Sequence, residues 1–403
     1  MKSLPIRLTV SFFFLRVALL LAAGQTPPPP APPAASPSPP PAAAPAATAS
    51  EPPIALHVSS TITLGNEITG AFMPPVKCDP DGNLFIRKFA MNRPLGPVIK
   101  IDPDGKPTAL FSPDRFSDLK LHRVDAFFPG SDGGIYQVAQ SGFAKARVVY
   151  ILHYSSDGEP SSPTRLDADF EIYTFAVFPD GNFLISGTER DPLDKNDHGR
   201  PITKVFSTDG RELAKLSFEE KEKKKSSQKG ARSSPKSDAT TPEPVSESKA
   251  APAPQPPPSD PNDPPPPPRP APSEKSVASL DLKDAEASRD GNLYVMRTST
   301  RALVNIISPA GKITKTLKIP APLPGAVPVS FHVSENRLAL LFGDPAHKAV
   351  AITVLDAQTG RRIATYSAPM DLGWFACYSA NDGAFTFLKH SEKNTLEVTR
   401  AEP

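Results

Sequence analysis

The residues in this chain whose types and spacing could do chemistry are few. The densest group is Glu189-Arg190-Asp191-Pro192-Leu193-Asp194-Lys195-Asn196-Asp197-His198, which crowds carboxylates around one imidazole. Carboxylates are hard oxygen ligands for a divalent cation, and His198 could serve as a ligand or a general base. Arg190, Lys195 and Arg200 are interleaved with the acids and oppose cation binding, so the stretch reads first as a solvated loop. The Asp-x-Asp-Gly pieces at Asp79 and Asp102 lack the closing Glu of a calcium loop. They read as turns in which Asp accepts backbone hydrogen bonds. Two cysteines, Cys78 and Cys377, are too few for a disulfide framework or a metal knuckle. The sequence has no Gly-x-Ser-x-Gly elbow, His-Glu-x-x-His helix, phosphate-cradling glycine loop or Cys-x-x-Cys pair. Nothing in this inventory demands an enzyme, and no cofactor is expected.

The elements that must position these residues repeat. Asp79-Pro80-Asp81-Gly82-Asn83-Leu84-Phe85-Ile86 recurs as Pro179-Asp180-Gly181-Asn182-Phe183-Leu184-Ile185 and as Arg289-Asp290-Gly291-Asn292-Leu293-Tyr294-Val295. Looser copies fall at Asp132-Gly133-Gly134, Glu335-Asn336-Arg337 and Asn381-Asp382-Gly383. Each is a polar turn feeding a short apolar run, which is a hairpin signal. From Gly82 through Gly134, Gly181, Gly291 and Asn336 to Gly383 the spacings are 52, 47, 110, 45 and 47 residues. The long interval contains a low-complexity block of 58 residues, 219–276, and without it the period is restored. A second turn of the form Ser/Asp-x-x-Gly-Lys/Arg follows in most repeats, so each repeat holds two hairpins, or four strands. Six such units predict an all-β, six-bladed β-propeller. The sixth repeat ends one strand short, and the strand pattern from Ile54 to Leu64 is expected to supply it.

Residues 1–24 have the form of an export signal: Lys2 and Arg7, an apolar run, then Ala22-Ala23-Gly24. Arg16 breaks the run and argues against a permanent membrane helix, leaving a retained signal anchor as the only expected membrane contact. Residues 25–53 are almost wholly Pro, Ala, Ser and Thr and predict an extended, disordered tether; the propeller is expected over 54–403. The insertion 219–276 opens with seven basic against three acidic residues over 219–236 and then turns acidic, and it too predicts disorder. The formal net charge of +2 over 403 residues gives no reason to expect a nucleic-acid partner.

The Asp-Gly-Asn-Leu-Tyr-Val phrase, with the later Ser/Asp-x-x-Gly-Lys/Arg phrase, resembles the six-bladed propellers of the TolB-like and NHL-repeat superfamily, especially secreted bacterial members. The resemblance covers the body and neither proline-rich block. It implies a periplasmic or extracellular protein that acts as a non-catalytic binding or scaffolding module, its partner a protein or another cell-envelope component. The alternative it implies is a metal-dependent, lactonase-like hydrolase or lyase with its site at the channel mouth. Variable loops on one rim are the expected binding surface, with Arg93, Arg190, Asp191, Asp194 and His198 as candidate contacts. Ring closure makes the first and last repeats neighbours, so Cys78 and Cys377 could form a disulfide in an exported protein. Innermost strands usually lie beyond the roughly 7 Å Cα limit for a disulfide, which favours two buried thiols instead.

Overall fold

Short apolar runs between tight turns bury both faces only if sheets stack on one another, and six sheets do so here. The computed structural model describes residues 52–65, 72–88, 96–142, 147–167, 169–191, 197, 199–218, 282–298, 302–344, 349–391 and 395–403. The expected signal, the insertion 219–276 and nearly all of the tether lie outside these residues.

Two N-terminal strands, β1 (Ile54–Ala55) and β2 (His57–Thr63), precede the blades. Blade 1 is β3 (Phe72–Cys78), β4 (Leu84–Lys88), β5 (Val98–Ile101) and β6 (Pro107–Phe111). Blade 2 is β7 (Leu121–Pro129), β8 (Ile135–Ser141), β9 (Val148–Tyr154) and β10 (Thr164–Leu166). Blade 3 is β11 (Asp169–Val177), β12 (Phe183–Arg190), β13 (Arg200–Phe206) and β14 (Glu212–Lys215). Blade 4 is β15 (Leu282–Ala287), β16 (Leu293–Thr298), β17 (Ala302–Ile307) and β18 (Ile313–Ile319). Blade 5 is β19 (Val327–Ser334), β20 (Arg337–Asp344), β21 (Ala349–Asp356) and β22 (Arg362–Ala368). Blade 6 is β23 (Trp374–Tyr378), β24 (Phe385–His390) and β25 (Leu396–Glu402). Strands within a blade pair antiparallel in chain order, and each first strand touches the first strands of its two neighbours all the way round the ring. Hydrophobic clusters fill the spaces between successive blades, as in the Tyr294, Val304, Phe331, Leu340 and Phe342 group between blades 4 and 5.

The ring closes through its N-terminal end. Strand β2 pairs antiparallel with β25 and completes blade 6, with Val58 opposite Ala401 and Thr63 opposite Glu397. The predicted closing strand is thus shorter than 54–64. Ile54 and Ala55 leave it and run parallel to β22 of blade 5.

The turn chemistry explains the repeated phrase. Asp79, Asp180 and Asp290 each accept a hydrogen bond from the backbone N–H two residues on, at 3.0 Å. The second-turn glycines have a further duty between blades. Gly158 has φ +89°, and a Cβ there would lie 2.8 Å from the Leu110 carbonyl oxygen on β6 of the preceding blade. In the same way Gly210 approaches β10 and Gly360 approaches β18, while Gly105 of blade 1 approaches Ile62 on β2. The N-terminal strand therefore occupies the outermost position that every other blade fills from its own repeat.

Candidate functional site: the central channel

The innermost strand of every blade loses register with its neighbour. The shifts fall between Met73 and Lys77, Val124 and Ala126, Ile172 and Thr174, Leu282 and Asp284, Pro328 and Ser330, and Phe375 and Cys377. A bulge inserts an unpaired residue and re-aims its side chain. Pro74 and Pro75 fall in the first of these gaps, where no ladder N–H is required. Residues in all six gaps, Pro75, Asp125, Tyr173, Lys283, Val329 and Ala376 among them, line one cavity of about 390 Å³ on the channel axis. The first strands enter from the rim that carries the loops between second and third strands, so the cavity faces that loop rim. Tyr173 in blade 3 and Trp374 in blade 6 are 57% and 41% exposed and approach from opposite sides of the ring. Trp374 is the only tryptophan in the sequence.

The same cavity is also lined by charge from Lys77 and Glu286, which are buried, and Asp284, which is half-buried. Lys77 Nζ donates to Asp284 Oδ1 and Glu286 Oε1, each at 2.6 Å, and to the Ala285 carbonyl at 2.9 Å. All three ammonium protons are used. Burial alone would lower the Lys77 pKa, but the two carboxylates more than offset it and hold the ammonium above its ordinary value. Burial and the neighbouring Glu286 charge push Asp284 up despite Lys77. Burial would raise Glu286 too, yet Lys77 and His332 overcome it and hold Glu286 below the usual carboxylate range. His332 Nδ1 lies 3.3 Å from Glu286 Oε2, and the other edge of its ring meets the Cys78 sulfur. A continuous polar path thus runs Asp284, Lys77, Glu286, His332, Cys78 across blades 4, 1 and 5. Beside it in blade 2, Asp125 takes hydrogen bonds from Gln140 and Arg123, while burial raises its pKa. Arg87 donates to the Asp125 carbonyl at 3.2 Å, stands over the Phe127 ring and is lowered by burial to about 10.

The candidates read from the sequence are placed less centrally. Arg93, Asp194 and His198 lie outside the described residues. Arg190, at the end of β12, pairs with Glu171 at 2.7 Å, and the Asp191 backbone N–H donates to the Asp197 carboxylate at 2.6 Å. These two sit on the loop rim, apart from the residues that line the channel cavity. The cysteine expectation is corrected: the Cα atoms of Cys78 and Cys377 are 6.0 Å apart, within disulfide range, with the sulfurs in bonding contact. The seam between blades 6 and 1 brings β23 against β3. Lys77, Asp284, Glu286 and His332 carried no sequence signal. They are single residues up to 255 positions apart, and only ring closure gathers them.

A metal site of the kind a propeller hydrolase needs would draw on carboxylates and imidazoles converging on the axis, and Asp284, Glu286 and His332 do converge. They do not fit a metal, because the Lys77 ammonium sits against both carboxylates and supplies the positive charge they require. Among the described residues no group of three or more His, Cys, Asp or Glu side chains is arranged to hold a metal ion.

No protein-family model matches the chain, and no curated protein matches it. Solved structures do. A candidate exported protein from Bacteroides fragilis is 10% identical with a TM-score of 0.43, the match covering 86% of this chain and 94% of that one. A protein of unknown function from Bacteroides caccae is 14% identical at a TM-score of 0.35, covering 74% and 80%. The β-propeller domain of the Trilobed protease from Pyrococcus furiosus is 8% identical at 0.39, covering 81% and 80%. Likeness at this level concerns the fold, and the six-blade assignment rests on the strand order described above.

Proposed function

We propose that this chain is an exported binding module of the TolB-like and NHL-like propeller type, and that it takes its partner at the bulge-lined channel mouth on the loop rim. The observation that carries this reading is the pair Tyr173 and Trp374, large aromatic side chains left exposed across a cavity that Lys77, Asp284 and Glu286 also line. Exposed aromatics around a concave, largely apolar site are the usual anchors of binding energy. A scaffold that only held its own fold together would gain by burying them. The partner is a protein or another component of the cell envelope, held without a cofactor, and Arg93, Arg190, Asp191, Asp194 and His198 supply an outer rim of contacts.

The test is capture from envelope extract with the full chain and with Tyr173→Ala/Trp374→Ala. The doubly substituted protein should lose the partner while keeping its melting temperature. Loss instead from substitution at Arg190 and Asp191, with the aromatic variant unaffected, would move the site to the outer loops. Loss from changes at Lys106, Arg211 or Lys312 would move it to the opposite rim.

A further inference from the structure

On the far side of the axial cluster from the mouth, one sulfur of the Cys78–Cys377 disulfide meets an imidazole. Cys78 Sγ lies 3.5 Å from His332 Nε2 and 3.8 Å from Nδ1. His332 Nδ1 in turn lies 3.3 Å from Glu286 Oε2, whose other oxygen is held by Lys77. Thiol, base and orienting carboxylate come from three different blades and stand within reach of one another, the arrangement that activates a thiol. The two cysteines are 7% and 5% exposed, and a pocket reaches them from one side. Cys78, Cys377 and His332 line a pocket of about 610 Å³ that opens between the turns of blades 1 and 6, on the turn rim. A disulfide that served only to staple the seam would need neither the imidazole nor the entry, since structural cysteines sit in inert surroundings.

We propose that Cys78 and Cys377 form a redox-active dithiol/disulfide pair, reached from the turn rim, in which His332, oriented by Glu286, exchanges a proton with the Cys78 sulfur. The co-reactant is a dithiol. One of its thiolates attacks Cys377 Sγ and forms a mixed disulfide. The Cys78–Cys377 bond breaks, and its electron pair leaves on Cys78, which takes the proton from His332 or rests as a thiolate beside the imidazolium. The second thiolate of the dithiol then attacks its own partner sulfur in the mixed disulfide and expels Cys377, which takes up a proton. Two electrons pass to the protein, the dithiol becomes a disulfide, and the reverse sequence reduces a disulfide and restores the Cys78–Cys377 bond. The charges facing His332 are Glu286, Lys77 and Asp284 from the axis; Asp79, Asp382, Arg289 and Arg400 stand in the pocket wall. Glu286 is the group in direct contact, and it fixes the orientation of the imidazole toward the Cys78 sulfur.

Cys377→Ser leaves Cys78 alone beside His332 and tests the proposal without any reduction step. Alkylation of the full chain by iodoacetamide, followed by mass spectrometry against pH, should show a Cys78 midpoint at least one pH unit below the ordinary thiol value of about 8.5. Cys377→Ser/His332→Gln should return it to that value and slow alkylation at pH 7 at least tenfold. Cys78→Ser, which isolates Cys377, should show the ordinary profile. In the unsubstituted protein, dithiothreitol should release two thiols with the circular dichroism unchanged, and about tenfold more slowly in His332→Gln. The same pH profile for Cys78 with and without His332, or for Cys78 and Cys377, overturns the proposal. So does the release of thiols only upon unfolding.

Discussion

The turn rim and the channel axis are held together by opposite means. On the turn rim, the carboxylates of the tight turns find their partners among neighbours in sequence. Asp157 is held below the usual carboxylate range by the Ser155 hydroxyl, Asp209 by Ser207 and Asp356 by Thr359, each within three residues. On the axis, the partners of Lys77 are Asp284 and Glu286, more than 200 residues away; Lys77 and Glu286 are buried and Asp284 is half-buried. The rim is polar and solvated, its turns satisfied by local geometry and joined by exposed ion pairs such as Arg289 with Glu335. The axis is largely desolvated, and each charge of the Lys77 cluster depends on another blade. Local turns register strands, so they can repeat; axial contacts exist only once the ring is closed, so they can specialise.

The largest effect should come from preventing closure. A chain beginning at Gly65 lacks β1 and β2 and leaves the edge of β25 unpaired, with Leu56 and Leu64 gone from the core. Such a protein should lose cooperative unfolding and aggregate. If it melts like the full chain, the closing role of β2 is wrong, and with it the dependence of the axis on closure.

The next effect separates the axial charges from one another. Lys77→Met strands the buried Glu286 and the half-buried Asp284 and should cost about 3 kcal/mol in urea unfolding. Asp284→Asn keeps an acceptor for Lys77 and relieves the repulsion from Glu286, so it should change stability by about 1 kcal/mol or less. The acid responses differ in sign. The folded-state pKa of Asp284 is raised, so between that value and the unfolded value of about 3.9 its protonation adds stability as pH falls. The folded-state pKa of Glu286 is depressed, and so are those of the turn aspartates Asp157, Asp209 and Asp356. Their contribution is present above about pH 4 and is lost as pH falls through their folded values. Unfolding curves at a series of pH values should therefore show the gain on mild acidification disappear in Asp284→Asn and persist in Asp209→Asn. Identical profiles for the two variants would erase the distinction between axis and rim.

Smaller effects grade the rim itself. Gly158→Ala meets both a left-handed backbone and the Leu110 carbonyl, and should cost about 2 kcal/mol or more. Gly291→Ala meets open space and only the backbone penalty, about 1 kcal/mol. Equal costs would mean that the second turns do not set the distance between blades. The smallest effect is expected at 219–276, where a short Gly/Ser linker should leave the melting temperature unchanged, because loop entropy grows only with the logarithm of length. A lost transition would show that block to be part of the core.

This contrast also explains what was legible in the sequence. The Asp-Gly-Asn turns and the apolar strands after them depend on consecutive residues, so their period, the blade count and the missing last strand could be read directly. The split of 54–64 into β1 and β2 could not, because Ile54 and Ala55 choose a blade by proximity rather than by pattern. The bulges that turn Tyr173 and Lys283 toward the channel leave no mark in composition. His332 looked like one scattered histidine among seven, and Lys77 like an ordinary lysine after two prolines. The places of Cys78 and Cys377 in the first and last repeats allow a disulfide, the general separation of inner strands argues against it, and the approach of β23 to β3 at the seam decides the point. The acidic loop at 189–198 attracted attention through local density, which is the signal sequence shows best and the axis uses least.

The most direct test of the central claim uses the one tryptophan. Trp374 stands at the mouth, so its emission reports on that site in the unmodified protein. Titrating the full chain with the captured envelope component should shift and saturate Trp374 fluorescence, with Tyr173→Ala weakening the apparent affinity at least tenfold. Saturable binding that leaves the emission unchanged and is indifferent to Tyr173 would place the partner elsewhere and contradict the account.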